Sequence, residues 1–149
     1  MQTVMQSAEI RVYKKRELGE WLLLPTTIRK GTGFRVTYGD FVRLTDEQML
    51  TSGLDLFQKF FDAFGKHPGE EKSALEQFSV KQRQSFHRAH LLIIVFLDKK
   101  TGQLEINPIQ GLRGGSGVSI LEHRQICNWP LKSNKQLFDQ LTEAAKHAQ

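Results

Sequence analysis

Short apolar or alternating runs separated by polar and glycine-containing stretches fill the first 44 positions. Glu9 to Lys14 puts Ile10, Val12 and Lys14 on one face and Arg11 and Tyr13 on the other, the pattern of a short strand. Glu20 to Leu24 ends in the run WLLL, and Pro25, which has no N–H to give to a ladder, is expected to close it. The polar stretch TTIRKGTG, residues 26–33, reads as a loop. Phe34, Val36 and Tyr38 alternate with Arg35 and Thr37, which argues that the aromatics face a core. Phe41 to Leu44 follows a turn at Gly39-Asp40. The opening is expected to be an antiparallel meander.

At Thr45 the period changes to about 3.6. Thr45 with Gln48 three residues on fits a capping box, and Asp46 and Glu47 suit the positive end of a helix dipole. Leu50, Leu54, Phe57, Phe61 and Phe64 then build an apolar stripe at steps of four, three, four and three, which predicts a helix over about 46–64. Gly65 and Pro68-Gly69 stop it. Gly53 inside that helix costs up to about 1 kcal/mol against Ala, so a close approach by another element is expected there. A second, short helix is expected over about 70–78.

Leu91 to Leu97, LLIIVFL, is the most hydrophobic segment and reads as a central strand buried on both faces. A turn at 98–102 joins it to the alternating run 103–107, with Leu104 and Ile106 inward, and Pro108 is expected to end that hairpin. Residues 118–121 suggest one more strand. Ser133, with Gln136 at the third position after it, starts a last helix over about 134–146 that buries Leu137, Phe138, Leu141, Ala144 and Ala145. Strands, then helices, then a hairpin and a helix give an α+β fold, one domain over 1–149, mostly antiparallel, and not a doubly wound sheet.

Composition narrows the class. The chain has 149 residues, 39% hydrophobic and 25% charged, with ten Phe and two Trp, so there is enough to bury and disorder is disfavoured. One cysteine cannot form an internal disulfide, which suits a reducing compartment. No apolar run reaches the roughly 20 residues that cross a bilayer. The opening MQTVMQSAEIRVY lacks the order of a secretory signal, so a cytoplasmic protein without a membrane partner is expected. The net charge of +5 is unevenly spread: residues 45–80 carry seven acidic and three basic groups, whereas residues 81–149 carry ten basic and five acidic. An acidic middle on helix-forming sequence disfavours nucleic acid as partner, since such binders concentrate positive charge on the reading element.

Few residues suggest chemistry. The loop GLRGGSG, residues 111–117, could cradle an anion with Arg113, but it lacks the Lys and hydroxyl residue that end a P-loop. His87 and His90, flanked by Arg83 and Arg88, could act as acid and base in a small ribonuclease. No Lys, Tyr or Asp completes a constellation around them. His123 and Cys127 have no second cysteine or HxxxH spacing, so no metal and no cofactor is expected, and Cys127 reads as a small buried residue. Phe34, Tyr38 and Phe41 with Arg35 and Arg43 could stack RNA bases only if those aromatics were exposed.

The order of elements resembles the immunity proteins of bacterial contact-dependent growth inhibition systems. The segments carrying the resemblance are TTIRKGTGF before a strand and LDLFQKFFDAFGK closing the long helix. EEKSALEQF, the hairpin strand GQLEINPI with its proline, and the serine-capped KSNKQLFDQLTEAA add to it. The resemblance implies a cytosolic protein that is not an enzyme, has no catalytic residues, and neutralises the C-terminal toxin domain, usually a nuclease, of such an effector by binding it. Two surfaces could meet that toxin. Asp55, Asp62, Glu70, Glu71 and Glu76 would suit a basic nuclease, whereas Arg29, Lys30 and Arg113 would suit an acidic partner. The acidic set is favoured on the expectation that helices hold it in a fixed array. The alternative function is an RNA-binding protein or small ribonuclease using His87 and His90.

Overall fold

The computed structural model describes residues 7–111, 118–119 and 121–148. Its elements run β1 (Ala8–Lys15), β2 (Glu20–Ile28), β3 (Arg35–Thr37), β4 (Val42–Thr45), α1 (Asp46–Ala63), α2 (Val80–Ala89), β5 (His90–Leu97), β6 (Gln103–Gln110), β7 (Val118–Ser119), β8 (Gln125–Asn128) and α3 (Asn134–His147). Among the described residues the strands form one sheet in the order β3-β2-β1-β5-β6-β7, with β4 also on β2 and β8 also on β6. Every pairing is antiparallel. The fold is α+β, as expected.

The two long flanking strands each serve two partners in succession. β2 pairs β4 through residues 20–23 and β3 through 26–28. β6 pairs β8 through 103–106 and β7 through 109–110. In both strands a proline lies at the changeover, Pro25 in β2 and Pro108 in β6. Neither proline ends its strand, contrary to the expectation. Each ladder to the inner neighbour has its last pair at the proline, Pro25 opposite Ile10 and Pro108 opposite Ile93, and the strand runs on because an outer partner takes over, β3 on β2 and β7 on β6.

The sheet is buried on both sides. One face packs Ile10, Val12, Trp21, Leu23, Ile93, Val95, Leu104 and Ile106 under α1 and α3. The other sets Tyr13, Leu22, Leu24, Leu92 and Ile109 beneath Leu75, Phe41, Phe78 and Phe86. Alternate residues of β5 go to opposite sides, so LLIIVFL is a two-sided central strand flanked by β1 and β6, as its composition implied.

α1 begins with the expected capping box: Thr45 accepts from the Gln48 amide and the Gln48 side chain accepts from the Thr45 amide. Its stripe differs in one position. Phe57 and Phe61 are fully buried and Phe64 nearly so, but Leu50 is 39% exposed, and Met49 and Gly53 take the inner line. A Cβ on Gly53 would lie 3.2 Å from Leu137 Cδ2 and 3.1 Å from Met49 Sδ, so α3 crosses α1 where the helix has no side chain.

The helix expected at 70–78 is not there. Ser73 and Glu76 exchange hydrogen bonds, the Ser73 Oγ accepting from the Glu76 amide and the Glu76 carboxylate from the Ser73 amide, which closes a single turn. The helix proper begins at Val80, capped by Ser79 with Gln82 in a second complete capping box. α3 starts at Ser133 as expected, though the Gln136 side chain accepts from the Lys132 amide and not from the cap residue. Strand β8 was not anticipated: its short run Gln125–Asn128 lacks an apolar alternation to announce it.

Candidate functional site

The acidic residues follow the chain from α1 into the segment before α2. Asp55 and Asp62 are exposed and seven residues apart, two turns or about 10 Å along one side of the helix. Asp62 accepts from the Gln58 amide group at 2.9 Å. Glu70 and Glu71 are exposed, and Glu71 reaches His67 Nε2 at 3.5 Å. Glu76 is half-buried and engaged with Ser73. Only Asp55 and Asp62 therefore stand on a helix. Glu70, Glu71 and Glu76 belong to the connecting segment, held by local hydrogen bonds instead of a helical array. Arg113 and the glycine-rich stretch 112–117 lie outside the described residues.

Beside this acidic flank lies a basic cleft of about 650 Å³ between the β2–β3 hairpin tip and the end of α1. Arg29, Lys30, Lys66 and His67 line it, with Gly31, Gly33 and Gly65. Its walls are stitched together. Thr27 Oγ1 accepts from the Gly65 amide and donates to the His67 carbonyl, the Lys30 amide donates to the Pro68 carbonyl, and Arg29 Nε donates to the Gly69 carbonyl at 2.8 Å. The tip can turn because Gly31 and Gly33 adopt φ of 93° and 70°, which an L side chain rarely does. The His67 ring stacks on Tyr38 at 3.9 Å between centroids. Burial, with Glu71 adding to it, pushes the Tyr38 hydroxyl above its ordinary pKa.

The two histidines of the alternative reading are parts of the α2–β5 junction. His90 is only 7% exposed; its Nδ1 lies 2.9 Å from the Phe86 carbonyl and its ring stacks on Phe86 at 4.1 Å. Burial lowers its pKa, partly opposed by the Phe86 carbonyl. His87 is half-buried, and its pKa is lowered by burial and then by Arg83. The ring of His90 thus joins the end of a helix to the start of a strand.

The aromatic residues considered for RNA stacking go to separate places. Phe41 enters the second core, in contact with Tyr13, Phe78 and Phe86. Tyr38 lies on His67, and Phe34 is 69% exposed at the hairpin tip, against the inward direction its alternation implied. Arg43 pairs with Glu20 at 3.0 Å and Arg35 with Glu9 at 3.3 Å. Cys127 is half-buried on β8, its thiol pKa raised by burial, and its Sγ lies 3.5 Å from Gln140 Oε1. His123 instead stacks on His147. Among the described residues no group of three His, Cys, Asp or Glu side chains could hold a metal ion.

One cluster escaped sequence reasoning. Glu9 is buried on β1, 3% exposed, with Arg11 Nε 3.3 Å and Arg35 Nη1 3.3 Å from its two oxygens. The Arg35 guanidinium also lies over the rings of Phe64 and Phe96. Burial pulls its pKa down and Glu9 opposes that. The Glu-x-Arg spacing in a strand, which puts both side chains on one face, was the available signal.

No family model matches the chain, and no curated protein does. Among solved structures it is similar to a protein of unknown function, NMB0488, from Neisseria meningitidis, with a TM-score of 0.65 over 100% of this chain and 99% of that one. The two are 11% identical, a likeness of fold.

Proposed function

We propose that this protein is an immunity protein that binds and neutralises the toxin domain, a nuclease, of a contact-dependent growth inhibition effector, without catalysis of its own and in the cytosol. The observation that carries the reading is the acidic flank. Asp55 and Asp62 stand in line on α1 with Lys59 between them, and Glu70 and Glu71 add two exposed carboxylates beyond its end. Such a surface complements the positive charge by which nucleases hold phosphate, and it raises the rate of capture. The order of elements that resembles these immunity proteins supports the same reading. α1 is fixed beneath it by Met49, Phe57 and Phe61, so two of the four carboxylates have a rigid base.

The test is co-expression with the C-terminal domain encoded beside the gene for this chain. Cells arrested by that domain alone should grow when the chain is present at equal level. Reversing Glu70 and Glu71 to Lys together should slow association and weaken protection. Unchanged affinity in that variant removes the acidic flank from the interface. Absence of any protection, or degradation of tRNA by the purified chain that is lost in His87→Ala or His90→Ala, overturns the proposal.

A further inference from the structure

The basic cleft at the β2–β3 tip serves neither the acidic flank nor the packing of the sheet. Arg29, Lys30 and Lys66 converge on it, and no carboxylate lines it. Glu71, on the adjoining segment, is directed to His67 Nε2. Among the described residues, the Lys30 and Lys66 ammonium groups and the Gly31 amide have no hydrogen-bond partner. Arg29 uses Nε to fix the wall through Gly69, which sets the plane of its guanidinium. A Cβ built on Gly31, Gly33 or Gly65 would meet nothing within 4 Å, so the space in front of the backbone is open.

We infer that this cleft is a binding site for the phosphate group of a small phosphorylated ligand. Three cations around a shared space, with no carboxylate among the residues that line it, call for a ligand carrying more than one negative charge. A phosphomonoester supplies it and a single carboxylate does not. A backbone amide without a partner beside glycines at positive φ adds the kind of donor that cradles phosphate oxygens. The C-terminal end of α1 lies nearby and opposes an anion with about half a charge, which three cations outweigh. The volume, about 650 Å³, lies within the range of small-molecule sites and exceeds what a phosphate alone fills, so the ligand has a body beyond that group.

The site does not depend on the immunity reading, and its test needs no toxin. Amide NMR spectra of the full chain are followed through titration with inorganic phosphate and with AMP, with adenosine and a tetraglutamate peptide as controls. Phosphate and AMP should shift the amides of Gly31, Gly33 and His67, AMP binding more tightly, while the controls leave them in place. Lys30 and Lys66 are exposed and make no contact the fold requires, so Lys30→Glu with Lys66→Glu should weaken AMP binding about tenfold or more. The amides of α3 should stay where they are in that variant. The inference is overturned if phosphate and AMP leave the tip amides unmoved, if tetraglutamate shifts them as strongly, if AMP binds no more tightly than phosphate, or if the double reversal binds AMP as well as the parent.

Discussion

Truncation of Phe57 to Ala probes whether α1 packs on the sheet as described. The side chain is fully buried, its ring edge-on to Phe61 at 6.2 Å and 6.5 Å from that of Trp129. Removing it forfeits roughly 2–3 kcal/mol of transfer free energy. The cavity it leaves, walled by a second aromatic ring and the sheet, cannot collapse fully, so the total loss should be about 3–5 kcal/mol. That is a large share of the roughly 5–15 kcal/mol by which a domain is stable. Leu50, four residues from Leu54 on the periodic stripe yet 39% exposed, provides the comparison, and Leu50→Ala should cost under about 1 kcal/mol. Urea melts followed by tryptophan fluorescence read both changes, since Trp21 is buried in the main core and Trp129 packs beside Phe57. A loss below about 1 kcal/mol for Phe57→Ala, or equal losses for the two variants, would refute this placement of α1.

Glu9→Gln leaves Arg11 and Arg35 without their counter-charge; because Arg11 is one-third exposed, the cost should be about 2–3 kcal/mol in thermal melts, and no loss would mean the arginines find solvent as easily. Burial lowers the pKa of His90 and of His87, so the folded state favours their neutral forms and the unfolded state takes up protons first as pH falls. Their contribution is complete above about 6.5, the ordinary histidine value, and is lost as pH falls from there through the lowered folded values. Replacing both with Gln should flatten stability between about pH 7 and pH 5, and an unchanged slope would show that the two rings are equally protonated in both states. Cys127, its thiol pKa raised by burial, should react with iodoacetamide at neutral pH more slowly than free cysteine, and equal rates would contradict its placement.

What the sequence revealed and concealed has a common physical source. Signals that act within a few residues were legible: Thr45 and Ser133 cap helices through hydroxyls that bond amides three positions on. The two-sided burial of LLIIVFL followed from its lack of polar positions. Ser79-x-x-Gln82 carries the same capping signal as Thr45-x-x-Gln48 and starts α2, whereas the short helix expected over 70–78 reduces to the single turn closed by Ser73 and Glu76. Where the answer lay in a distant partner, local reading failed. Leu50 and Met49 are equally apolar, and the crossing of α3 at Gly53 decides which faces inward. Phe34 obeys the alternation of its neighbours but stands at a hairpin tip with nothing over it, 69% exposed. The acidic candidates were legible as charge, whereas their support, helix for two and hydrogen-bonded segment for three, required the structure.

The prolines tie this fold to its basic cleft. Had Pro25 ended β2, Thr26, Thr27 and Ile28 would have belonged to a loop and the cations after them to a flexible one. The ladder to β1 has its last pair at Pro25, opposite Ile10, and β2 runs on beyond it because β3 takes over as partner, Thr27 opposite Val36 and Ile28 opposite Arg35. That extension carries the chain over the end of α1, where Thr27 is fully buried and bonds both the Gly65 amide and the His67 carbonyl. Arg29 and Lys30 leave the strand at that point and are held by Gly69 and Pro68. The exchange of partners around Pro25 therefore fixes where the hairpin tip lies, and with it the spacing of the cations. Thr27→Val keeps the strand's shape and removes both hydroxyl bonds, so it should loosen the tip against α1 and cost about 1–3 kcal/mol. Faster hydrogen exchange at Gly65 with unchanged protection in β5 would accompany that loss, whereas equal protection at Gly65 would show that the hydroxyl does not hold the two elements together.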